Sequence, residues 1–187
     1  MSYTTHTAIL ILFLIILFAF CFLYTYSLLH LFIKGVPTIS SNRSIIKKLI
    51  GEESSEYLTG KKTFYELGCS YGRVLFRVCK HYQMNGVGYE SNLPPYLYSL
   101  LYKRIFYPHV HARVLMRSFY KADIKNADVI FCYLMPKIMQ KVEARLVPRM
   151  KAGTLIFANS FPFKNIQPIE VLKGKRGRME TLFIYKI

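Results

Sequence analysis

The chain has 187 residues, of which 52% are hydrophobic and 16% aromatic, and it carries 26 Lys and Arg residues against 10 Asp and Glu residues. This length and apolar content suit one globular domain with an appendage, and exclude a disordered chain or a disulfide-stapled miniature. No CxxC pair or Cys/His ligand spacing occurs, so we expect no metal site and reduced thiols at the four cysteines, Cys21, Cys69, Cys79 and Cys132.

The charge is distributed unevenly along the chain. No Lys, Arg, Asp or Glu precedes Lys34, so the formal net charge of +16 belongs entirely to the part that follows. A surface of this sign favours anionic neighbours such as nucleic acid, acidic lipid head groups or an acidic protein. The densest basic cluster is KGKRGR, at residues 173–178.

The N-terminal segment, residues 1–33, predicts a membrane anchor. Residues 8–33 contain no charged side chain, and a helix needs about 20 such residues to span the hydrocarbon layer. Tyr24, Tyr26 and His30 lie toward its C-terminal part, where interface residues collect. A cleaved signal peptide would have a basic start, a shorter apolar core and a small-residue cleavage site. A buried core helix is disfavoured because no face of the segment is polar.

The charges after this segment predict its orientation. Lys34, Arg43, Lys47 and Lys48 follow it closely, and nothing basic precedes it. The positive-inside tendency then places the N-terminus outside. We expect a single-pass protein whose globular part is cytoplasmic at a bacterial inner membrane, or matrix-facing if the membrane is mitochondrial.

Residues 34–62 predict a linker with one short helix. Ser44 is a candidate cap for a helix over Ile45–Ile50, which Gly51 would end. The polar stretch Glu52–Lys62 predicts a loop. The main domain then covers residues 63–187.

The main domain opens with a predicted βαβ unit. Thr63–Leu67 has the apolar, aromatic composition of a buried strand. A glycine turn, GCSYG, follows at residues 68–72, and Arg73–Tyr82 has apolar residues at helical spacing. Gly86–Tyr89 predicts a second strand, which Glu90 ends. Such a turn brings backbone N–H groups close to a ligand, and an acid at Glu90 is placed to hold a ribose.

The rest of the chain continues the alternation of strands and helices. Pro94 and Pro95 suit the first turn of a helix that runs to about Phe106. A further helix starts at Pro136, with Glu143 among its water-facing residues. Further strands are predicted at Ala112–Met116, Asp128–Leu134, Thr154–Ala158, Ile169–Leu172 and Thr181–Tyr185. The pattern indicates a doubly wound, mostly parallel α/β sheet of about seven strands, whose ligands lie beyond the carboxyl ends of the strands.

Two interpretations of the glycine turn are disfavoured. The turn matches the GxSxG nucleophile elbow at Ser70, but that fold needs several strands before the elbow and a histidine after the triad acid. His109 and His111 precede any suitable acid. Dinucleotide binding needs GxGxxG, and its third small position is occupied by Arg73.

The third interpretation is the turn that binds S-adenosylmethionine, of the form acid-x-Gly-x-Gly-x-Gly. Glu66 to Gly72 fit it with one Gly→Ser change, at Ser70. Glu90, at the end of the second strand, is placed for the ribose hydroxyls.

Four stretches carry a resemblance to a known family: ELGCSYGRVLF, GVGYESNLPPYLYS, ADVIFCYLMPKIMQKVEARL and NSFPF. They resemble the class I, seven-strand S-adenosylmethionine-dependent methyltransferases, which have a Rossmann-like sheet. Within that class the chain is similar to a small membrane-anchored branch. This branch includes the mitochondrial lysine methyltransferases of the ATP synthase c subunit and the adenine nucleotide translocase, and bacterial relatives. The similarity extends over residues 35–187.

The resemblance implies S-adenosyl-L-methionine as the cofactor and a set of residues around it. Glu66 and Ser118 would complete a pocket formed by Gly68, Ser70, Gly72 and Glu90. The chain departs from the family pattern in three places: Ser70 replaces a glycine, Tyr71 replaces an acid, and Ser118 stands where an acid or amide is usual.

The expected reaction is methylation of a lysine on a membrane protein. A lysine must be neutral to attack, and an apolar mouth lowers its pKa by desolvation. Tyr133, Phe161 and Phe163 are candidates for this mouth, and Asn159 for orienting the amine. Expected partners are thus the lipid bilayer and a membrane-protein substrate.

Three alternatives stay open: a nucleic-acid methyltransferase, a small-molecule methyltransferase, and a catalytically inactive membrane adaptor of the same fold. Nucleic acid is disfavoured, because FCYLMP stands where adenine methyltransferases carry an NPPY-type motif. The sequence also lacks an aromatic–basic RNA signature.

Overall fold

A computed structural model describes residues 3–34, 41, 43–174 and 177–187. The chain divides into two compact units, residues 1–37 and 38–187. Within the predicted linker, residues 35–40 and 42 lie outside the described residues. The division into an anchor at 1–33, a linker at 34–62 and a domain at 63–187 stays a prediction.

The described residues of the first unit form one helix, α1, at Tyr3–Lys34. Its segment Thr5–Tyr26 has 22 residues and a mean hydropathy of 2.9, and none of that segment is buried. Among the described residues this is the one helix long and apolar enough to cross a membrane, by length and composition. The predicted helix is confirmed, while membrane insertion and orientation stay predictions.

The second unit starts with two short helices, α2 at Arg43–Ile50 and α3 at Glu52–Leu58. The helix predicted from Ser44 is confirmed, although it starts at Arg43. The loop predicted over residues 52–62 is wrong, because α3 occupies most of it. The polar composition hid a helix whose first-turn acids suit the positive end of the helix dipole. Both helices bury apolar side chains in the domain core: Ile45, Ile46, Leu49 and Leu58.

The second unit is built around a seven-stranded sheet of order β3-β2-β1-β4-β5-β7-β6. The neighbouring pairs among β1 to β5 are parallel, and β7 is antiparallel to both β5 and β6. The predicted strands and helices are thus confirmed as elements, with small shifts at most ends, while β7 begins four residues before its predicted start at Thr181. The remaining bounds are β1 Thr63–Leu67, α4 Arg73–Tyr82, β2 Asn85–Glu90, α5 Leu93–Phe106, β3 Ala112–Met116, β4 Val129–Cys132, α6 Pro136–Arg145, β5 Leu155–Asn159, β6 Glu170–Gly174 and β7 Gly177–Lys186.

The order of β1 to β5 is that of dinucleotide-binding sheets, in which ligands bind where the strand order reverses. Here the chain passes from β3, at one edge, to β4, on the other side of β1. The reversal therefore lies at the carboxyl end of β1, where the glycine turn begins.

Two glycines of β2 let helix α4 and the turn pack directly on the strand backbone. A Cβ atom on Gly88 would lie 2.6 Å from the Sγ atom of Cys69, and one on Gly86 would lie 2.5 Å from the Sγ atom of Cys79. Dinucleotide-binding proteins obtain close helix–strand packing from a third glycine in the turn. In this chain the space is provided by β2 instead.

Candidate active site

The predicted site residues meet at one edge of the sheet. Strands β2, β1, β4 and β5 are in register at their carboxyl ends: Leu67 pairs with Tyr89 and with Cys132, and Cys132 pairs with Ala158. The residues one step further along each strand therefore lie in one row: Glu90, Gly68, Tyr133 and Asn159. The topology thus brings the predicted cofactor residues and the predicted acceptor residues together.

The turn after β1 is tightly folded and tied to β2. Gly68 has φ 74°, Ser70 has φ 48° and Gly72 has φ 72°, a region that glycine tolerates and a serine occupies at a cost. The backbone N–H groups of Gly68 and Cys69 both donate to the carbonyl oxygen of Tyr89, at 2.9 and 3.0 Å. These bonds fix the turn against the end of the second strand.

The side chain of Glu90 connects the turn to the loop that follows β2 by hydrogen bonds, and in this sense the turn is called Glu90-clasped below. Its Oε2 atom accepts a hydrogen bond from the backbone N–H of Ser70 at 2.9 Å. Its Oε1 atom accepts from the backbone N–H groups of Ser91 and Asn92, at 2.8 and 2.7 Å. The residue is 8% exposed. The carboxylate therefore stands beside the turn, where the ribose was predicted, and contact with a ribose itself stays a prediction.

Glu66 lies beneath the turn and supports the start of α4. Its Oε2 atom accepts a hydrogen bond from the backbone N–H of Leu75 at 2.8 Å, and the residue is 4% exposed. Burial raises the pKa of its carboxyl well above the usual value, the bond from Leu75 opposes this, and the charge of Glu90 adds to it. Glu66 thus satisfies one N–H group of the first helical turn.

The hydrogen-bond donors left for a ligand lie at the start of α4. The N–H groups of Gly68, Cys69, Ser70 and Gly72 are all used inside the protein. Among the described residues, the N–H groups of Tyr71, Arg73 and Val74 have no acceptor. The N-terminus of a helix attracts an anion through such groups. The buried Oγ atom of Ser70 also has no partner there.

These groups fit S-adenosylmethionine in chemistry, because it carries a carboxylate and a pair of ribose hydroxyls. The space is small: the cavity at the turn encloses about 10 Å³, enough for roughly one water molecule. Tyr71, Arg73 and Tyr133 line this cavity and are only partly buried or exposed. Binding of the methyl donor therefore requires this cavity to widen, by movement of one or more of these side chains.

Tyr71, which replaces an acid of the family pattern, has a packing role. Its ring lies edge-on to the ring of Tyr98 on α5, with centroids 5.0 Å apart. The guanidinium carbon of Arg73 lies 5.6 Å from the centroid of Tyr71, within the range of a cation–π interaction. Tyr71 therefore links the turn to α5.

Ser118 follows β3 at the same edge of the sheet. The backbone N–H of Arg117 donates to the carbonyl oxygen of Glu90 at 2.9 Å, and Lys121 donates to the carbonyl oxygen of Ser118 at 3.0 Å. These bonds hold the segment after β3 next to β2. A contact between Ser118 and adenine stays a prediction.

The predicted acceptor residues lie at the ends of β4 and β5. Asn159 is buried, its Oδ1 atom accepts from the Oγ atom of Ser160 at 3.2 Å, and its Nδ2 atom has no partner among the described residues. Tyr133 and Phe161 are partly exposed, as a mouth requires. The aromatic ring of Phe163 is different, because it is buried 4.8 Å from the ring of Tyr185. Phe163 is thus a packing residue.

Glu143 was predicted to face water, and this is wrong. It is 8% exposed, and its Oε2 and Oε1 atoms accept from the backbone N–H groups of Lys164 and Asn165, at 2.9 and 2.7 Å. The prediction used helical spacing alone. Spacing does not show that a loop covers this side of α6. Glu143 therefore holds the middle of the loop that follows Asn159, the last residue of β5, and that carries Phe161.

The sheet order, the Glu90-clasped turn and the row of polar and aromatic residues define a class I S-adenosylmethionine-dependent methyltransferase. The model of the ANTKMT methyltransferase domain matches residues 66–170, more than half of the chain. The chain belongs to this family, which confirms the expected enzyme class and its cofactor. No curated protein sequence matches the chain.

Solved structures share the fold. An RNA methyltransferase from Salinibacter ruber, in complex with S-adenosyl-L-homocysteine, superposes with a TM-score of 0.70 at 19% identity, over 80% of this chain and 94% of that one. A methyltransferase from Geobacter sulfurreducens, also with S-adenosyl-L-homocysteine, gives a TM-score of 0.53 at 13% identity, over 63% of this chain and 48% of that one. The predicted Rossmann-like seven-strand fold is confirmed.

Proposed function

We propose that this methyltransferase is anchored in a membrane and methylates a lysine side chain of a membrane protein. The observation that carries the proposal is the presence, on one edge of the sheet, of the Glu90-clasped turn and the buried amide of Asn159. The first is suited to hold the methyl donor, and the second to orient an amine beside it.

The chain's own residues account for binding of the methyl donor. Glu90 is a carboxylate acceptor for the ribose hydroxyls, and Gly68 lets the backbone approach closely. The free N–H groups at the start of α4 suit the carboxylate of the methionyl part. When bound, the cofactor supplies a methyl group on a sulfonium, which an aligned nucleophile displaces without a covalent enzyme intermediate.

The acceptor residues prepare and align the amine. Tyr133 and Phe161 replace water around the lysine, and desolvation favours the neutral form that can attack. Asn159 can turn its amide oxygen toward an amine N–H group by a 180° rotation of the amide. That hydrogen bond would direct the nitrogen lone pair toward the methyl group.

The membrane part of the proposal rests on α1 and on charge. A spanning helix confines the enzyme near its substrate and raises the effective concentration of membrane proteins. The basic side chains that follow α1 favour a domain on the cytoplasmic side of the membrane, or on the matrix side of a mitochondrial membrane. The family resemblance to lysine methyltransferases of membrane carriers and of the ATP synthase supports the same acceptor.

The experiment is methylation of isolated membranes with labelled S-adenosylmethionine, followed by mass spectrometry of the labelled band. The intact protein should place the label on lysine of a membrane protein, and Glu90→Ala should not label it. If the methyl donor binds but no protein carries the label, the proposal that a protein lysine is the acceptor is refuted.

A second candidate is an RNA methyltransferase. It is favoured by the Salinibacter ruber structure and by the net charge of +16. Ribonuclease and protease treatment of the labelled membranes separates the two candidates, because the label would be lost with the RNA in one case and with the protein in the other. An inactive adaptor would bind no methyl donor.

A further inference from the structure

Helix α5 exposes an apolar face. In the second unit, ten large hydrophobic side chains are exposed among the described residues, and six of them lie on α5: Leu97, Tyr98, Leu100, Leu101, Ile105 and Phe106. Leu101 and Ile105 are 56% and 58% exposed. A contiguous apolar face of this kind on a domain surface marks an interaction site.

Five of the six exposed side chains form a stripe away from the buried side of the helix, whereas Phe106, seven residues after Ser99, lies on the buried side at the C-terminal end. Leu97, Leu101 and Ile105 are four residues apart, so they lie along one face. Pro95 and Ser99 are buried and face the domain. Helix α5 is therefore apolar on an exposed side, and packing among the described residues of the second unit does not account for this apolar side.

The surroundings of this stripe are strongly basic. Residues 91–122 contain no Asp or Glu and five Lys or Arg residues. An open groove of about 700 Å³ lies beside the C-terminal end of α5, at the amino ends of β2 and β3. Its lining includes two basic residues, Lys103 and Arg113, and two histidines, His109 and His111.

We infer that the stripe and the groove form a docking surface for an anionic lipid bilayer. The leucine and aromatic side chains enter the interface between head groups and acyl chains, as on interfacial amphipathic helices. The groove accepts lipid phosphate groups, and Arg104 within the stripe adds to the attraction. The bilayer is the occupant that suits this charge and the spanning length of α1, and the inference rests on the proposed membrane anchoring.

Docking of α5 would place the methyl donor turn at the bilayer surface. Tyr98 belongs to the stripe and contacts Tyr71 of the turn, with ring centroids 5.0 Å apart. The catalytic edge is therefore one aromatic contact away from the lipid-facing side chains. This limits the acceptor to a lysine close to the head groups, and narrows the proposed substrate class.

The test uses the full chain in vesicles of phosphatidylcholine with or without phosphatidylglycerol. Cys21 is the exposed native thiol and is replaced by serine, since Cys69, Cys79 and Cys132 are buried. A fluorophore is attached at Leu101→Cys, and a matched fluorophore at Lys141→Cys, an exposed position on α6. Quenchers carried on the lipid acyl chains report the depth of each label.

We expect quenching at residue 101 to exceed quenching at residue 141 and to increase with phosphatidylglycerol. Lys103→Gln should reduce the docked fraction about fivefold, as expected for loss of one charge near an anionic surface. Equal quenching at both positions would overturn the inference. If the label at residue 101 becomes shielded as protein concentration rises, and not as lipid is added, the stripe binds a second copy of the chain. That result would also overturn the inference.

Failure of the proposed function would be visible separately in the same preparation. Alkaline extraction reports whether α1 anchors the chain, and calorimetry with S-adenosylhomocysteine reports whether the methyl donor site forms. If the chain is anchored and binds S-adenosylhomocysteine, but the label at residue 101 stays in water, only the docking surface is refuted.

Discussion

The carboxylate of Glu90 accepts a hydrogen bond from the backbone N–H of Ser70 at 2.9 Å, which joins the end of β2 to the turn after β1. From the sequence, Ser70 is a departure from a glycine pattern and Glu90 is a predicted ribose-binding acid. The structure shows that they also depend on each other. One carboxylate both shapes the turn and stands beside the predicted nucleoside site.

Replacement of Glu90 by alanine should lower affinity for S-adenosylhomocysteine by at least about 100-fold. The substitution removes a charged acceptor, and each bond to such a group contributes about 1.5–3 kcal/mol. Isothermal titration calorimetry measures the change, and Glu90→Gln, which keeps one carbonyl oxygen, should be intermediate. Glu52→Ala, at an exposed glutamate of α3, should bind like the parent protein. Equal affinity of Glu90→Ala and the parent protein would show that Glu90 does not contribute to binding of the methyl donor.

Glu66→Gln should stabilise the protein at neutral pH. Burial raises the pKa of Glu66 above its ordinary value of 4.5. A raised pKa in the folded state gives stability that is present in acid and is lost as pH rises through that pKa. Urea unfolding of the parent should therefore show a decline in stability toward neutral pH that Glu66→Gln lacks. Parallel pH profiles for the two proteins would contradict the assignment.

Asp128→Ala should destabilise the fold by about 2–3 kcal/mol. Asp128 accepts bonds from the backbone N–H groups of Lys62 and Thr63, at 2.9 and 3.0 Å, and pairs with Lys151 at 2.5 Å. Burial alone would raise its pKa, but these bonds prevail and lower it from 3.8 to about 2.

Because the pKa of Asp128 is lowered in the folded state, its contribution is present above pH 3.8 and is lost as pH falls toward about 2. Denaturant unfolding should show this loss for the parent protein and not for Asp128→Ala. Asp123→Ala, at an exposed carboxylate, should leave the free energy of unfolding nearly unchanged. A comparable loss from Asp123→Ala would contradict the assignment to this network.

Gly88→Ala should disturb the turn from below. The new Cβ atom would lie 2.6 Å from the Sγ atom of Cys69, and overpacking of this kind costs about 1–3 kcal/mol. Because Cys69 is in the turn, affinity for the methyl donor should fall together with stability. Gly86→Ala is the matched control, since its new Cβ atom would lie 2.5 Å from the Sγ atom of Cys79 and 2.7 Å from the Cβ atom of Ala112, away from the turn. It should lower stability alone, and equal losses of affinity from both variants would contradict the explanation.

Glu143→Ala should slow methyl transfer with little change in affinity for the methyl donor. Its carboxylate holds the backbone of Lys164 and Asn165, and its loss loosens the loop that follows Asn159 and carries Phe161. The readouts are the rate of methyl transfer and the dissociation constant of S-adenosylhomocysteine. Glu143→Gln should recover part of the rate. A matching loss of both rate and affinity would mean that Glu143 acts on the whole fold.

The fold was predictable where local patterns are strong. The predicted bounds of β1, α4 and β3 coincide with those observed, because buried strands and an amphipathic helix have clear periods. Helix α3 was missed because its sequence is polar and only Tyr57 and Leu58 pack in the core, Tyr57 against the ring of Phe157, a hundred residues further along the chain. Composition over seven residues does not contain that information.

The candidate site was predictable as a set of residues and not as a network. The alternation of strands and helices was enough to place Glu90, Gly68, Tyr133 and Asn159 at one edge. Tertiary contacts decided the rest: the bond from Ser70 to Glu90, the burial of Phe163 against Tyr185, and the loop held by Glu143. These contacts join residues far apart in sequence, and no local pattern indicates them.

The most direct measurement is an experimental structure of the protein with S-adenosylhomocysteine. The account predicts the ribose hydroxyls about 3 Å from the carboxylate of Glu90, the amino-acid carboxylate at the start of α4, and Tyr71, Arg73 or Tyr133 rotated out of the small cavity. A nucleoside bound elsewhere, or a chain that binds none at all, would contradict it.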